Sequence, residues 1–239
     1  MSEPRCIECG RAVSCLYTNY GGPDKIRLTE CPTCQTVADK YIEYDYVLIF
    51  LDMVLHKPAV YRHLLFNRLD PLRRKHKGDG AMRWAIGKLV LLLLMFDVYV
   101  KWMRRKAALS ASTYAYLFGT SSIELAVFIY TSFLVASFYR RMFSKPNARY
   151  DLLPLISLGL LISSFGKFVH ILMVIWEYDQ LEYAWMVSVN ILTSNAEAIS
   201  VVLDCNYRVS WLVLAAATLS KYFVQKVISY FDPIYSISL

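Results

Sequence analysis

The sequence predicts an α-helical polytopic membrane protein carrying a small N-terminal β head. Three observations predict it. Apolar residues make up 56% of the chain and charged residues only 19%, whereas a soluble domain carries about 25% charge. Five apolar stretches, each near the ~20 residues that a bilayer-spanning helix requires, occupy most of the chain after residue 82. Ahead of them, five of the six cysteines lie before residue 35.

The same composition narrows the function. Too few polar residues are present for a disordered chain, and the shortage of charge points away from a simple soluble enzyme. Length and cysteine placement exclude a small secreted disulfide scaffold. The net charge of +7, from 26 Lys and Arg against 19 Asp and Glu, is scattered through short loops between apolar runs. That pattern suits topology signals and anionic lipid head groups better than nucleic acid. Cys6 comes so early that no signal-peptide n-region or h-region fits before it, so an internal apolar segment is expected to direct insertion.

The head spans residues 1–40. Cys6-Ile-Glu-Cys9 and Cys31-Pro-Thr-Cys34 are two C-x2-C knuckles. Each presents two sulfurs within one tight turn, and four thiolates complete a tetrahedral zinc site with no open position. Between the knuckles, Val13, Cys15 and Tyr17 alternate with polar neighbours, and so do Ile26 and Leu28. Gly21-Gly22-Pro23-Asp24 supplies the turn, giving a zinc ribbon with one structural Zn2+ on Cys6, Cys9, Cys31 and Cys34. A redox dithiol or a disulfide framework is the rival reading. Cys15 falls on the strand pattern and reads as a small core residue.

Residues 41–82 link head and membrane. In 41–56 the apolar run is too short to span, and Asp45, Asp52 and His56 share one side at helical spacing. An interfacial helix ending at Pro58 is expected. Lys57, Arg62, Arg68, Arg73, Arg74, Lys75, Lys77 and Arg83 then form a basic loop, with KGDG at 77–80 as a turn.

The transmembrane bundle occupies 83–239, with about five spans at 83–101, 114–138, 152–176, 184–203 and 209–230. The fourth is the weakest, because it holds Asn190, Asn195 and Glu197. Basic residues at 57–83 and at Arg140, Arg141, Lys145 and Arg149 favour a cytosolic head, and the acidic 177–182 loop falls on the other side. Lys101, Arg104, Arg105 and Lys106 disagree with this count. Lys88, near a helix end, is expected to snorkel. Glu124, Lys167, Asn195 and Glu197 fall near the middle of their stretches. A charge at that depth costs about 2.5–3.5 kcal/mol on insertion scales, so these residues are expected to face inward and pair. The sharper expectation is one network that holds a sterol hydroxyl or lipid head group; the plainer one is a network that fixes helix register.

From the second knuckle onward the sequence becomes recognisable. Val37-Ala38-Asp39-Lys40-Tyr41-Ile42-Glu43-Tyr44-Asp45 and Tyr61-Arg62-His63-Leu64-Leu65-Phe66-Asn67 resemble the shared N-terminal block of the ARV family of endoplasmic-reticulum lipid-homeostasis proteins. Ser163-Ser164-Phe165-Gly166-Lys167, Val174-Ile175-Trp176-Glu177 and Leu192-Thr193-Ser194-Asn195 extend the resemblance over nearly the whole chain. It implies moving and distributing sterols from the endoplasmic reticulum, effects on sphingolipid metabolism, and support for glycosylphosphatidylinositol (GPI) anchor synthesis. The implied partners are membrane lipids, sterols above all, and subunits of a GPI- or lipid-synthesising complex. The implied location is the endoplasmic-reticulum membrane, with the Golgi membrane left open as a second one.

An enzyme is the competing class. His56 and His63 do not make the H-x4-D pair of glycerolipid acyltransferases, and no G-x-S-x-G, Walker A or H-E-x-x-H motif occurs. His170, inside the third stretch, reads as a packed, hydrogen-bonded histidine. Non-catalytic sterol and lipid homeostasis is therefore the expected function. An adaptor for a lipid- or GPI-synthesising complex comes second, and an intramembrane lipid-modifying enzyme third.

Overall fold

The computed structural model describes residues 4–21, 26–68, 80–105, 111–143, 152–167 and 181–231. His170, the 22–25 turn, the tip of the basic loop and most of the 140–149 and 177–182 loops lie outside the described residues. The chain divides into two compact units, one reaching Arg83 and the other beginning at Trp84.

The first unit opens on the two knuckles, joined by a hairpin of β1 (Tyr17–Asn19) and β2 (Ile26–Leu28). The strands are antiparallel, with Tyr17 opposite Leu28 and Asn19 opposite Ile26. They are shorter than the alternation from Val13 predicts, because Ala12 instead bridges back to Arg5. The apolar side chains follow the knuckles: Cys6, Val13, Cys31 and Ala38 form one buried cluster.

Beyond the ribbon, Lys40–Ile42 makes a 3-10 turn, and α1 (Tyr46–Val54) follows. His56 adopts a left-handed backbone with φ 54°, and Lys57 is extended before Pro58, as a residue preceding proline must be. Pro58 does end α1, but it also begins the next helix. Its ring fits the first helical position, where no N–H is needed. α2 (Pro58–Arg62) passes directly into a π-helical stretch, His63–Arg68. The expected basic loop is thus folded and largely buried up to Asn67, since Ala59, Val60, Tyr61, Leu65 and Phe66 all turn inward. Ile7 of the first knuckle packs with Tyr41, Ile49, Ala59 and Val60 in one core. Ribbon and helices thus share an interior across residue 40.

The second unit holds α3 (Gly80–Arg105), α4 (Ala111–Phe143), α5 (Leu152–Ser163), α6 (Leu181–Leu203) and α7 (Tyr207–Phe231). α4 packs on α5 and α7, and α6 packs on α5 and α7. Small residues such as Gly159, Ala196, Ala198, Ser210 and Ala217 are buried there, which lets helix backbones approach closely. Hydroxyls turn back on their own helix: Ser132 onto Phe128 O, Ser164 onto Leu160 O and Thr218 onto Leu214 O.

Among the described residues, three helical segments are long and apolar enough to cross a membrane: Ala111–Phe143, Met186–Leu203 and Tyr207–Tyr230. They correspond to the second, fourth and fifth expected spans. The third is described as a shorter apolar helix, Leu152–Gly166. The first, α3, is 26 residues long, but Lys88, Asp97 and Lys101 interrupt its apolar run. The fourth, expected to be the weakest, is more apolar than the fifth and is the most enclosed of the three, with residues 194–199 all buried. Its polar side chains lower hydropathy because they belong to the interior of a bundle.

Candidate functional site

The two knuckles are built alike, 25 positions apart. The N–H of Cys6 bonds to Arg11 O and that of Cys31 to Thr36 O; Gly10 N–H bonds to Cys6 O and Gln35 N–H to Cys31 O. Gly10 (φ 73°) and Gln35 (φ 58°) both take the left-handed conformation that closes each turn. Backbone N–H groups of Glu8 and Cys9 point at the Cys6 sulfur, as those of Thr33 and Cys34 point at the Cys31 sulfur.

This places Cys6 Sγ 3.6 Å from Cys34 Sγ and Cys9 Sγ 3.7 Å from Cys31 Sγ. All four sulfurs lie within 4.8 Å of one another. A zinc–sulfur bond of about 2.3 Å puts the sulfurs of a tetrahedral site about 3.8 Å apart, so the donor set is compatible with a zinc ribbon. Cys15 is outside the set, its sulfur 3.5 Å from Thr29 Oγ1. Burial pushes the Cys6 thiol up to about 12. The Thr36 hydroxyl and backbone N–H draw Cys34 down to about 6, and backbone N–H groups lower Cys31. Burial thus opposes ionising Cys6, while hydrogen-bond donors favour the thiolate at Cys34 and Cys31.

A hydrogen-bonded hub holds the knuckles on the helices. Asp39, fully buried, accepts from Tyr41 N–H at 3.0 Å and from Asn67 Nδ2 at 2.7 Å, and its Oδ2 lies 2.7 Å from His63 Nδ1. Asn67 also clasps the backbone of Arg5, accepting its N–H and donating to its carbonyl, both at 2.8 Å. Arg62, expected in a basic loop facing lipid, donates instead to Ile7 O and Glu8 O inside the first knuckle. The π-helical turn sets His63 and Asn67 side by side on Asp39. Their i, i+4 placement in an otherwise apolar run was a visible signal in the sequence. Tyr41 donates to Asp52 at 2.8 Å and Lys57 pairs with it at 2.6 Å. Burial opposes ionising Asp52, but these two donors outweigh it and hold its pKa below the usual carboxylate value.

Of the residues expected to share one membrane network, Glu124 and Lys167 fall in one chain of ion pairs. Glu124, 1% exposed, takes Lys101 at 2.8 Å, Gln225 at 3.0 Å and Lys221 at 3.5 Å. Lys167 pairs with Asp97 at 3.1 Å. Asn195 accepts a short hydrogen bond from Ser163, joining α6 to α5, and Glu197 is buried on α6. Glu124 and Lys167 are linked through Lys101 and Asp97, which lie 3.7 Å apart on α3. Lys101, expected in a loop, is helical and turned inward. An acid and a base four residues apart within an apolar stretch mark a helix face that must be enclosed, and that was the signal for this pair. Lys88 rests its ammonium 3.1 Å over the Trp84 ring.

Comparison with known proteins places this geometry. Residues 5–199, from the first knuckle through most of α6, match the model of the Arv1-like family. The chain belongs to the Arv1-like family. Among Arv1 relatives, the Protein arv1 homolog of Dictyostelium discoideum is 34% identical, covering 95% of this chain and 96% of its own length. Protein ARV 1 of Arabidopsis thaliana is 31% identical over 97% of this chain and 90% of its own. Protein ARV1 of Homo sapiens is 30% identical over 95% and 81%. No solved structure matches the chain. The Arv1 family match includes all four knuckle cysteines, Asp39, His63, Asn67, Asp97, Lys101, Glu124 and Lys167, while Lys221 and Gln225 on α7 lie beyond it.

Proposed function

We propose that this Arv1-like protein serves sterol homeostasis in the endoplasmic-reticulum membrane. It moves and distributes sterols without catalysing a reaction, and it affects sphingolipid metabolism and GPI-anchor synthesis through membrane composition. The observation that carries this reading is the family match over residues 5–199. The apolar helices with charged side chains enclosed among them support it, because such side chains in membrane segments are costly and commonly mark functional paths. Replacing the family member of a host cell by this chain tests the reading. Sterol should return to its normal distribution between endoplasmic reticulum and plasma membrane. Normal expression with unaltered sterol distribution rejects it.

In this reading the head is cytosolic and holds one structural zinc on Cys6, Cys9, Cys31 and Cys34. The reducing compartment and the basic loops both support that side. The metal would supply the positive charge that keeps the buried Cys6 sulfur ionised. Purified protein should contain one zinc per chain, and the Cys31→Ser variant should contain none; full zinc in the variant rejects the ligand set. A glycosylation acceptor inserted into the 140–149 loop should stay unmodified, and modification there reverses the topology.

A second reading has its own observation. The outer face of α1 exposes Tyr46, Val47, Phe50, Leu51 and Leu55, while Ile49 faces the core. That face suits the interfacial placement expected of the segment, and it equally suits an adaptor that seats a subunit of a GPI- or lipid-synthesising complex. Val47→Asp with Leu51→Asp separates them. Loss of a co-purifying subunit with retained membrane attachment of the head favours the adaptor.

A further inference from the structure

Five charged side chains in the helical unit form one chain of ion pairs: Lys167, Asp97, Lys101, Glu124 and Lys221. Among the described residues, three ammonium groups there face two carboxylates. The arrangement is layered. Glu124 forms the floor at 1% exposure, while Lys101, Lys167 and Lys221 keep 20%, 24% and 34% of their side-chain surface. Gln225 and Ser121 add polar groups beside Glu124 and Lys101. This basin of charges sets three partly exposed ammonium groups about two carboxylates, of which Glu124 is already satisfied. α4 is about 50 Å long at 1.5 Å per residue, and Glu124 lies about 20 Å from its start. Centred on a hydrocarbon core of about 30 Å, that helix puts the basin about 10 Å inside the apolar zone. An uncompensated ammonium at such a depth is unfavourable. A monovalent anion completes the charge.

We propose that this basin binds the phosphate of an anionic lipid head group, drawn from the membrane surface into the helical unit. Phosphate is the matching chemistry. Its oxygens accept from ammonium groups, and lysine holds it as a point charge without a fixed bidentate geometry. The inference extends the lipid-handling reading but stands apart from sterol binding, since a sterol hydroxyl carries no charge and leaves the excess ammonium uncompensated.

Lys221 is the discriminating residue. It is the most exposed of the three and makes the longest contact with Glu124, which keeps Lys101 and Gln225 without it. Lys221→Gln leaves two cations on two carboxylates, so a purely structural network tolerates it. Full-length protein is purified from nanodiscs containing equal phosphatidylinositol, phosphatidylcholine and cholesterol, and retained lipids are counted by native mass spectrometry. Wild type should retain phosphatidylinositol over phosphatidylcholine. Lys221→Gln should lower that retention about tenfold or more, the scale of one charged hydrogen bond, and Lys221→Arg should keep it. Equal retention of the two phospholipids by wild type overturns the proposal whatever the variants do, as does unchanged retention in folded Lys221→Gln. Displacement by millimolar inorganic phosphate with no lipid retained overturns the lipid assignment in favour of a free-phosphate site. Cholesterol retained without head-group selectivity rejects this inference alone. Loss of both lipids rejects the sterol reading as well.

Discussion

Asp39→Asn is nearly isosteric, yet it should loosen the whole head. Asp39 has no exposed surface, so no water can replace what the substitution removes. An asparagine can still accept from Tyr41 N–H through its remaining oxygen. Its amide group then takes the place of Oδ2 and meets Asn67 Nδ2, donor against donor, where the wild-type distance is 2.7 Å. One hydrogen bond to a charged acceptor is lost, worth about 1.5–3 kcal/mol, and one buried donor is left unsatisfied, costing about 1–3 kcal/mol. The combined loss of about 3–5 kcal/mol is a large part of the 5–15 kcal/mol that stabilises a typical domain. Hydrogen exchange reads it without relying on tryptophan fluorescence. The amides of Ile7 and Ala38 bond to Ala38 O and Thr29 O within the knuckle region, and their protection should fall by about two orders of magnitude. Protection within threefold of wild type at both amides would refute the view that Asp39 ties the knuckles to the helices.

Gly166→Ala should lower the abundance of the membrane unit, since an added Cβ would lie 2.9 Å from Ile191 Cγ1 and 3.2 Å from Asn190 Oδ1. Overpacking of this kind costs about 1–3 kcal/mol, and Ile191→Ala should restore detergent-extracted yield. Asp52→Asn should remove a pH-dependent contribution. A depressed carboxylate pKa stabilises the fold fully above the unfolded value of about 3.9, and that stabilisation is lost as pH falls through the folded pKa. The wild-type advantage in hydrogen-exchange protection around α1 should therefore be present at pH 5 and fade below about pH 4; a constant advantage at all pH values contradicts the ionised Asp52. Lys167→Met should remove the nearest cation of Asp97, leaving Lys101 at 3.7 Å, and reduce abundance, measured by blotting against an internal standard; normal abundance assigns Lys167 to function instead of assembly.

Much of this was legible in the sequence because it is local. A C-x2-C knuckle is a turn of four residues, and its spacing already fixes where both sulfurs point. Apolar stretches likewise announce helices without reference to any partner. Pro58 shows the limit of a local rule: the same missing N–H ends one helix and opens another, and only the burial of Val60, Tyr61 and Leu65 decides that the chain continues as helix. The pairing of charges lay further out of reach. Glu124 and Gln225 are 101 positions apart, and helical phase alone cannot say which of three lysines turns toward a given carboxylate. Asp39, His63 and Asn67 stood within a recognised block, yet their joining depends on a π-helical turn, which widens the helix by one residue and leaves no mark in hydropathy.

The likeness of the two knuckles bears on how freely the sequence between them can change. Each half-site fixes its own pair of sulfurs through its own backbone bonds, so bringing the halves together is a loop-closure event. The entropic cost of closing a loop grows only logarithmically, about 0.6 kcal/mol for each doubling of its length. An insertion at the end of the β1–β2 hairpin, where β1 is exposed throughout, should thus be tolerated. A single residue added between Cys6 and Cys9, or between Cys31 and Cys34, should not. The hairpin is accordingly the place to insert an epitope or a fluorescent reporter without disturbing the head.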